Sequence, residues 1–383
     1  MLTLFKNCNV FDPLPAGRKD ILAIEGRISA VEDDLKDWEA VPGIEIIDMA
    51  GQRVVPGLID IHVHVTGGGG EQGPTTRMQP LALKDFTENG VSSVVGLLGT
   101  DGISRSLENL LFQVRALEEL GLSTWMLTGN YSFPSRTLTG AVDRDIALID
   151  KCIGAKIALA DHRDSCPSPE ELARLGTQVR LGTMISGKTG FVCIHMGNGK
   201  DRMKNLFRAL EISELPPRTF VPTHCCRTPE LVEDAARHNK SGGYIDFTAE
   251  IVEDEPGTAP AVKYALDCGA DPSRICMSSD GGGSQPVFDE NNNCIGVESA
   301  TSVTLLWELK KLVRNHGVPF ETALSFFTAN PAALLGQAER KGHLRPGCDA
   351  DLLVLTDEYR VKDLWCKGQR MVKDGKSITF VKF

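Results

Sequence analysis

Hydrophobic and polar positions follow two different rhythms along this chain. Near one end, LTLFKNCNVFD, DILAIEGRISAVED and IEIIDMAGQRVV mix β-branched residues with Gly, Asn and Asp turn signals, which predicts short strands. Near the other end, DADLLVLTD and VKDLWCKGQRMVKDGK read the same way. The two ends together predict one small β-sandwich domain, residues 1–55 plus 345–383.

Between them the rhythm changes. Apolar runs recur at LIDIHVHV (58–65), SSVVGLL (92–98), STWMLTG (123–129), KIALAD (156–161), FVCIHMG (191–197), TFVPTH (219–224), YIDFTA (244–249) and ICMSSD (275–280). Amphipathic stretches such as SRSLENLLFQVRALEELG and TPELVEDAARHNKSG separate them. Near-continuous apolar strands alternating with helices predict a parallel sheet covered by helices. Eight such units favour a (β/α)8 TIM-like barrel over residues 56–344, within an α/β fold. An open doubly wound sheet is the alternative, but the first strand lacks the G-x-G-x-x-G turn of a dinucleotide site.

Composition narrows the function. The chain of 383 residues carries a formal net charge of −10, which speaks against general nucleic-acid binding. Its start has no long apolar core, and no apolar run is long enough to span a bilayer. Eleven scattered cysteines without a C-x-x-C pair suit reduced thiols in the cytoplasm.

The polar residues on the apolar runs carry the chemistry. His62 and His64 are two apart, so both imidazoles face the same side of a strand. His195, His224 and Asp280 close later strands, and Lys156 opens the fourth run. Strand C-terminal ends converge where barrel active sites lie. A lone strand histidine is more often a hydrogen-bonded core residue than a ligand. Four at strand ends beside an aspartate point to a metal site. A buried lysine is costly as an ammonium, and its neutral amine can add CO₂ to form a metal-bridging carbamate.

VVPGLIDIHVHV, strand-end Lys156, His195, His224 and Asp280, and GHLRPGCDADLLVL together resemble the amidohydrolase superfamily over nearly the whole chain. HVHVTGGGGEQGP, GLLGTDGISR, MLTGNYSFPSRTLTG, DHR, PTHCCR and SSDGGGSQP are similar to the bacterial isoaspartyl (β-aspartyl) dipeptidases within it. The resemblance implies two zinc ions bridged by carboxylated Lys156 and a hydroxide. His62, His64 and Asp280 would bind the more buried ion, and His195 and His224 the other. It implies Asp280 as the base and then the acid, and Tyr131 as oxyanion donor. The substrate would be a small β-aspartyl dipeptide, with Glu71 on its α-amino group and Arg163 and Arg227 on its carboxylates. Gly69, Thr100 and Ser284 would add further contacts. A homo-oligomer is implied as well. Manganese or cobalt would suit the same ligands.

Two rivals remain at this point. A cyclic-amide hydrolase of the dihydroorotase or hydantoinase kind would share the metals but need no site for an α-amino group. A non-catalytic scaffold on the same fold would lack metal ligands. The paired thiols Cys225 and Cys226, beside His224, read as packed residues or as adventitious ligands.

Overall fold

The computed structural model describes residues 2–254, 256–288 and 294–379. The first strands are β1 (Leu2–Asp12), β2 (Leu14–Ile24), β3 (Arg27–Glu32), β4 (Glu45–Asp48) and β5 (Arg53–Pro56). Eight parallel strands follow: β6 (Leu58–Val63), β7 (Val91–Gly96), β8 (Ser123–Gly129), β9 (Cys152–Leu159), β10 (Val192–Met196), β11 (Phe220–Thr223), β12 (Ile245–Thr248) and β13 (Ile275–Ser278). A hairpin, β14 (Ser284–Phe288) and β15 (Cys294–Ser299), comes next, and β16 (Leu352–Leu355), β17 (Val361–Cys366), β18 (Gln369–Lys373) and β19 (Lys376–Ser377) close the chain.

A helix lies between each consecutive pair from β6 to β13. The longest, Pro169–Ser186, shows why these segments are helical. Ser168 and Glu171 form a reciprocal capping box, Pro169 sits in the first turn, and Gly187 ends the helix in a left-handed conformation at φ 67°. Leu172, Leu175 and Val179 form its buried stripe. All positions of β6, β7 and β9 are buried, as expected for parallel strands covered on both faces.

The strands β6 to β11 form one hydrogen-bonded sheet in sequence order, and β12 pairs with β13. Two seams join the sheet to the pair. At one, Val63 bridges to Gly281, and His64 N donates to Gly281 O at 2.7 Å. The Asp60 carboxylate there accepts from both the backbone and the hydroxyl of Ser279. At the other, Asp246 of β12 accepts from Thr223 Oγ1 of β11 and Ser278 Oγ of β13, each at 2.6 Å. Side-chain carboxylates thus supply pairing where the ladders do not. Burial lifts both aspartates to about 7, against the opposing pull of these hydroxyls. One hydrophobic cluster joins Ile61 of β6 to Val95 of β7, Leu127 of β8, Cys193 of β10, Val221 of β11 and Cys276 of β13 across the seams.

The chain ends make one nine-stranded sheet, not two separately bonded layers. The reason lies in β1. A bulge between Phe5 and Cys8 bends it, so that residues 3–6 pair with β4 and residues 9–10 pair with β5. The two ends of the chain meet where β5 pairs antiparallel with β16, Val54 opposite Val354. Phe5, Val54, Leu352 and Trp365 belong to a separate core on this sheet. Among the described residues, no helix is long and apolar enough to cross a membrane.

Candidate metal centre

The polar strand residues converge at one end of the eight strands. His62 and His195 lie within β6 and β10. His64, His224 and Asp280 stand just past the ends of β6, β11 and β13. Lys156 is in the middle of β9 and not at its start, because the strand begins four residues earlier at Cys152. His224 and Asp280 both adopt left-handed backbone conformations, φ 60° and 53°. Such strain costs about 1–3 kcal/mol per residue and tends to persist where a site requires it.

Their side chains meet. Asp280 Oδ1 lies 3.1 Å from His64 Nε2 and 3.5 Å from His62 Nε2. His62 Nε2 lies 3.0 Å from Lys156 Nζ. The His62 and His224 rings are 5.1 Å apart, and the His195 and His224 rings 4.4 Å. One potential ligand atom from each of His62, His224 and Asp280 falls within 4.8 Å of the others.

The electrostatics favour a cation. Burial holds His62 and His224 well below the ordinary imidazole value, and the neighbouring positive groups add to this. Burial also lowers His195, to about 3, against the pull of Asp161. The imidazoles are therefore neutral, the form that ligates metals. Burial acts to raise Asp280, but His64, His62 and Lys156 prevail and keep it ionised. Burial drives Lys156 towards the neutral amine, more strongly than the Cys193 thiol and the nearby carboxylates resist.

Two polar atoms decide whether a metal fits. Leaving a buried ring nitrogen without a partner costs about 1–3 kcal/mol. His224 Nε2 has none, and the buried Asp280 Oδ1 has only the imidazoles of His64 and His62 near it. They face a shared space lined by neutral imidazole and carboxylate, a donor set suited to zinc. His195 is engaged at both ring nitrogens, by Tyr131 Oη at 2.7 Å and by Asp161 Oδ2 at 2.9 Å.

A cavity of about 590 Å³ opens above this cluster and reaches His64, Tyr131, His195 and Asp280. Glu71 is the hub of its wall. It accepts from Thr100 Oγ1 and Ser284 Oγ, each at 3.2 Å, and pairs with Arg163 Nη1 at 3.4 Å. Gly69 and Arg227 line the same cavity. Gly69 has φ +76°, and a Cβ there would stand 2.3 Å from Thr76 O, so only glycine fits. Burial raises the Tyr131 hydroxyl far above its ordinary value, leaving it a protonated donor.

Some residues escaped the sequence reading. Asp161, two residues beyond β9, carries the same strand-end signal that marked Asp280, but only Arg163 was taken from DHR. Thr248 at the end of β12 and Glu250 in the cavity wall were not singled out either. Cys225 and Cys226 direct their thiols to the carbonyls of Pro222 and Thr248, as packed residues do.

The profile of the amidohydrolase family matches residues 53–371. The chain is 39% identical to a β-aspartyl dipeptidase from Fervidobacterium islandicum AW-1 solved with β-Asp-Leu dipeptide; the match covers 100% of this chain and 98% of that one, with a TM-score of 0.93. A dihydroorotase from Desulforapulum autotrophicum is 25% identical, over 93% of this chain and 89% of that protein. An L-hydantoinase from Arthrobacter aurescens shares the fold, with a TM-score of 0.70 at 16% identity over 99% of this chain and 98% of that one.

Proposed function

Because the chain belongs to the amidohydrolase family, and so is a metal-dependent hydrolase of C–N bonds, we propose that it cleaves the β-aspartyl bond of small dipeptides with two zinc ions. We read its eight parallel strands as a (β/α)8 barrel, with residues 1–55 and 345–383 as a second domain. His62, His64 and Asp280 would hold one ion and His195 and His224 the other, with Lys156 between them as a carbamate. When bound, the metals supply Lewis acidity and an activated water at neutral pH.

The protein's own groups do the rest. Asp280, ionised beside His64, takes a proton from the attacking water and returns it to the leaving amine. Tyr131 donates a hydrogen bond to the scissile carbonyl oxygen as charge builds on it. Glu71, Arg163 and Arg227 orient the substrate. Thr100 and Ser284 hold Glu71 from two sides and fix its direction.

The observation that carries the reading is the charge pattern of the cavity wall: Glu71 stands beside the Arg163 guanidinium, and Arg227 lines the same cavity. A β-aspartyl dipeptide has one amino group and two carboxylates, the complementary set. The likeness to the dipeptidase solved with β-Asp-Leu supports the same substrate. The dihydroorotase relative favours a second reading, hydrolysis of a cyclic amide, which leaves Glu71 without a cationic partner on the substrate.

Steady-state rates on β-Asp-Leu, α-Asp-Leu, dihydroorotate and hydantoin, measured with zinc-loaded protein, separate the two. Turnover of β-Asp-Leu far above the other three is expected. Turnover of a cyclic amide alone would overturn the dipeptidase reading.

A further inference from the structure

We infer that Asp161 is a positioning residue that couples metal retention at His195 to the grip of Arg163 and Arg227 on substrate carboxylates. The inference rests on the functional reading above for the roles of these three partners, and on contact geometry for Asp161 itself.

Asp161 is almost wholly buried, its side chain 3% exposed, and every neighbour it engages is one of these residues or a local loop group. Oδ1 accepts from Arg163 Nε at 2.8 Å and from the Arg163 backbone N–H at 2.9 Å. Oδ2 accepts from Arg163 Nη2 at 2.9 Å. The same Oδ2 lies 2.9 Å from His195 Nε2 and 3.6 Å from Arg227 Nη1. Asp164 Oδ2 accepts from the Asp161 backbone N–H at 3.2 Å, which helps fix the turn.

These contacts determine the tautomer of His195. A carboxylate oxygen 2.9 Å from a bare ring nitrogen would set lone pair against lone pair, so Nε2 carries the proton and donates it to Asp161. Arg163 Nη2 also approaches Nε2, at 3.2 Å, but it is already committed to Asp161 Oδ2 at the shorter distance. With the proton on Nε2, Nδ1 keeps its lone pair, and Tyr131 Oη donates to it at 2.7 Å. Nδ1 is thereby the atom that can ligate a metal. A carboxylate behind a ligating histidine fixes the ring and raises its basicity.

The arginine side follows from the same carboxylate. Bidentate pairing through Nε and Nη2 fixes the plane of the Arg163 guanidinium and leaves Nη1 turned towards Glu71 and the cavity. Arg227 Nη1 approaches Oδ2 of the same carboxylate, at 3.6 Å. One carboxylate thus orients a metal ligand and both carboxylate-binding cations.

Asp161→Asn tests this, because an amide keeps the size but can no longer accept from all three partners. On folded, zinc-loaded protein we expect a ~10–100-fold loss of affinity for one of two zinc equivalents in chelator competition. KM for β-Asp-Leu should rise at least about tenfold, a typical effect of weakening one charged contact. Arg163→Lys should raise KM while leaving zinc affinity unchanged, since the Asp161–His195 contact survives. ¹⁵N-histidine spectra of the unmutated zinc-loaded protein supply a readout that no folding defect can blur, and a proton on Nε2 of His195 is expected. Unchanged zinc affinity in Asp161→Asn, or a proton on Nδ1, would overturn the inference. Failure of the unmutated protein to cleave β-Asp-Leu would instead overturn the substrate reading and leave the zinc and tautomer results to stand by themselves.

Discussion

His224 Nδ1 lies 2.6 Å from Thr248 Oγ1, and the opposite ring nitrogen, Nε2, is the one left buried and unpaired. The hydroxyl at the end of β12 therefore fixes which nitrogen of a β11 histidine faces the cluster. Thr248→Val keeps the shape and removes the partner. We expect a ~10–100-fold loss of zinc affinity with the fold unchanged, read by chelator competition and circular dichroism. Unaltered affinity would mean that this hydrogen bond has no part in holding metal.

Asp280 and Glu71 should fail differently. Asp280→Asn removes the proton acceptor, and kcat should fall by at least ~10²–10⁴ while the protein stays folded, as circular dichroism would show. Glu71→Gln should leave zinc content intact and raise KM for β-Asp-Leu by ~10–100-fold, as expected for losing a charge-assisted hydrogen bond worth about 1.5–3 kcal/mol. A substrate analogue lacking the α-amino group should show little difference between Glu71→Gln and the unmutated protein. If that analogue suffers equally, Glu71 does not recognise the amine.

Metal removal should show in stability as well as in rate. Zinc bound at 1,000 times its Kd stabilises the native state by about 4 kcal/mol. Stripping with a chelator should lower Tm, and zinc should restore it where magnesium does not, because neutral imidazoles suit zinc better. Equal rescue by magnesium would contradict the proposed ligand set.

His238, on the helix Pro229–Lys240, is fully buried and donates from Nε2 to Phe220 O at 3.0 Å. Burial lowers it to about 4, against the pull of that carbonyl. It stays neutral in the native state while the unfolded chain takes up a proton near its ordinary value of ~6.5. Its contribution to stability is whole above that value and is lost as pH falls towards about 4. The loss is on the order of 3 kcal/mol. Urea unfolding of metal-free protein between pH 7 and 4 should show a shallower acid decline for His238→Gln than for the unmutated chain. Parallel declines would exclude this histidine as the source.

The eight parallel strands were legible because their apolar runs are continuous, and His62, His64, His195, His224 and Asp280 stood out as polar residues on or beside those runs. What stayed hidden depends on partners distant in the chain. Asp60 and Asp246 look like ordinary strand polar residues until the seams bring Ser279, Thr223 and Ser278 to them. Thr248 gains its role only when β11 lies beside β12. The hairpin β14–β15 was missed because SQPVF and CIGVES are short and flank a polar, Asn-rich stretch. The residues of that stretch, 289–293, lie outside the described ones. The one-sheet arrangement of the chain ends was hidden for the same reason: the β1 bulge gains meaning only through its pairing with both β4 and β5.

The pairing of β5 with β16 gives synthesis of the chain a particular order. Strands β1 to β5 leave the ribosome before β16, and the edge that β5 offers to β16 stays open until nearly three hundred residues later. The helices and parallel strands in between can collapse while this nascent edge waits. Completion of the outer sheet then acts as a clasp fastened last, and a stalled chain would expose the unpaired strand edge to other molecules.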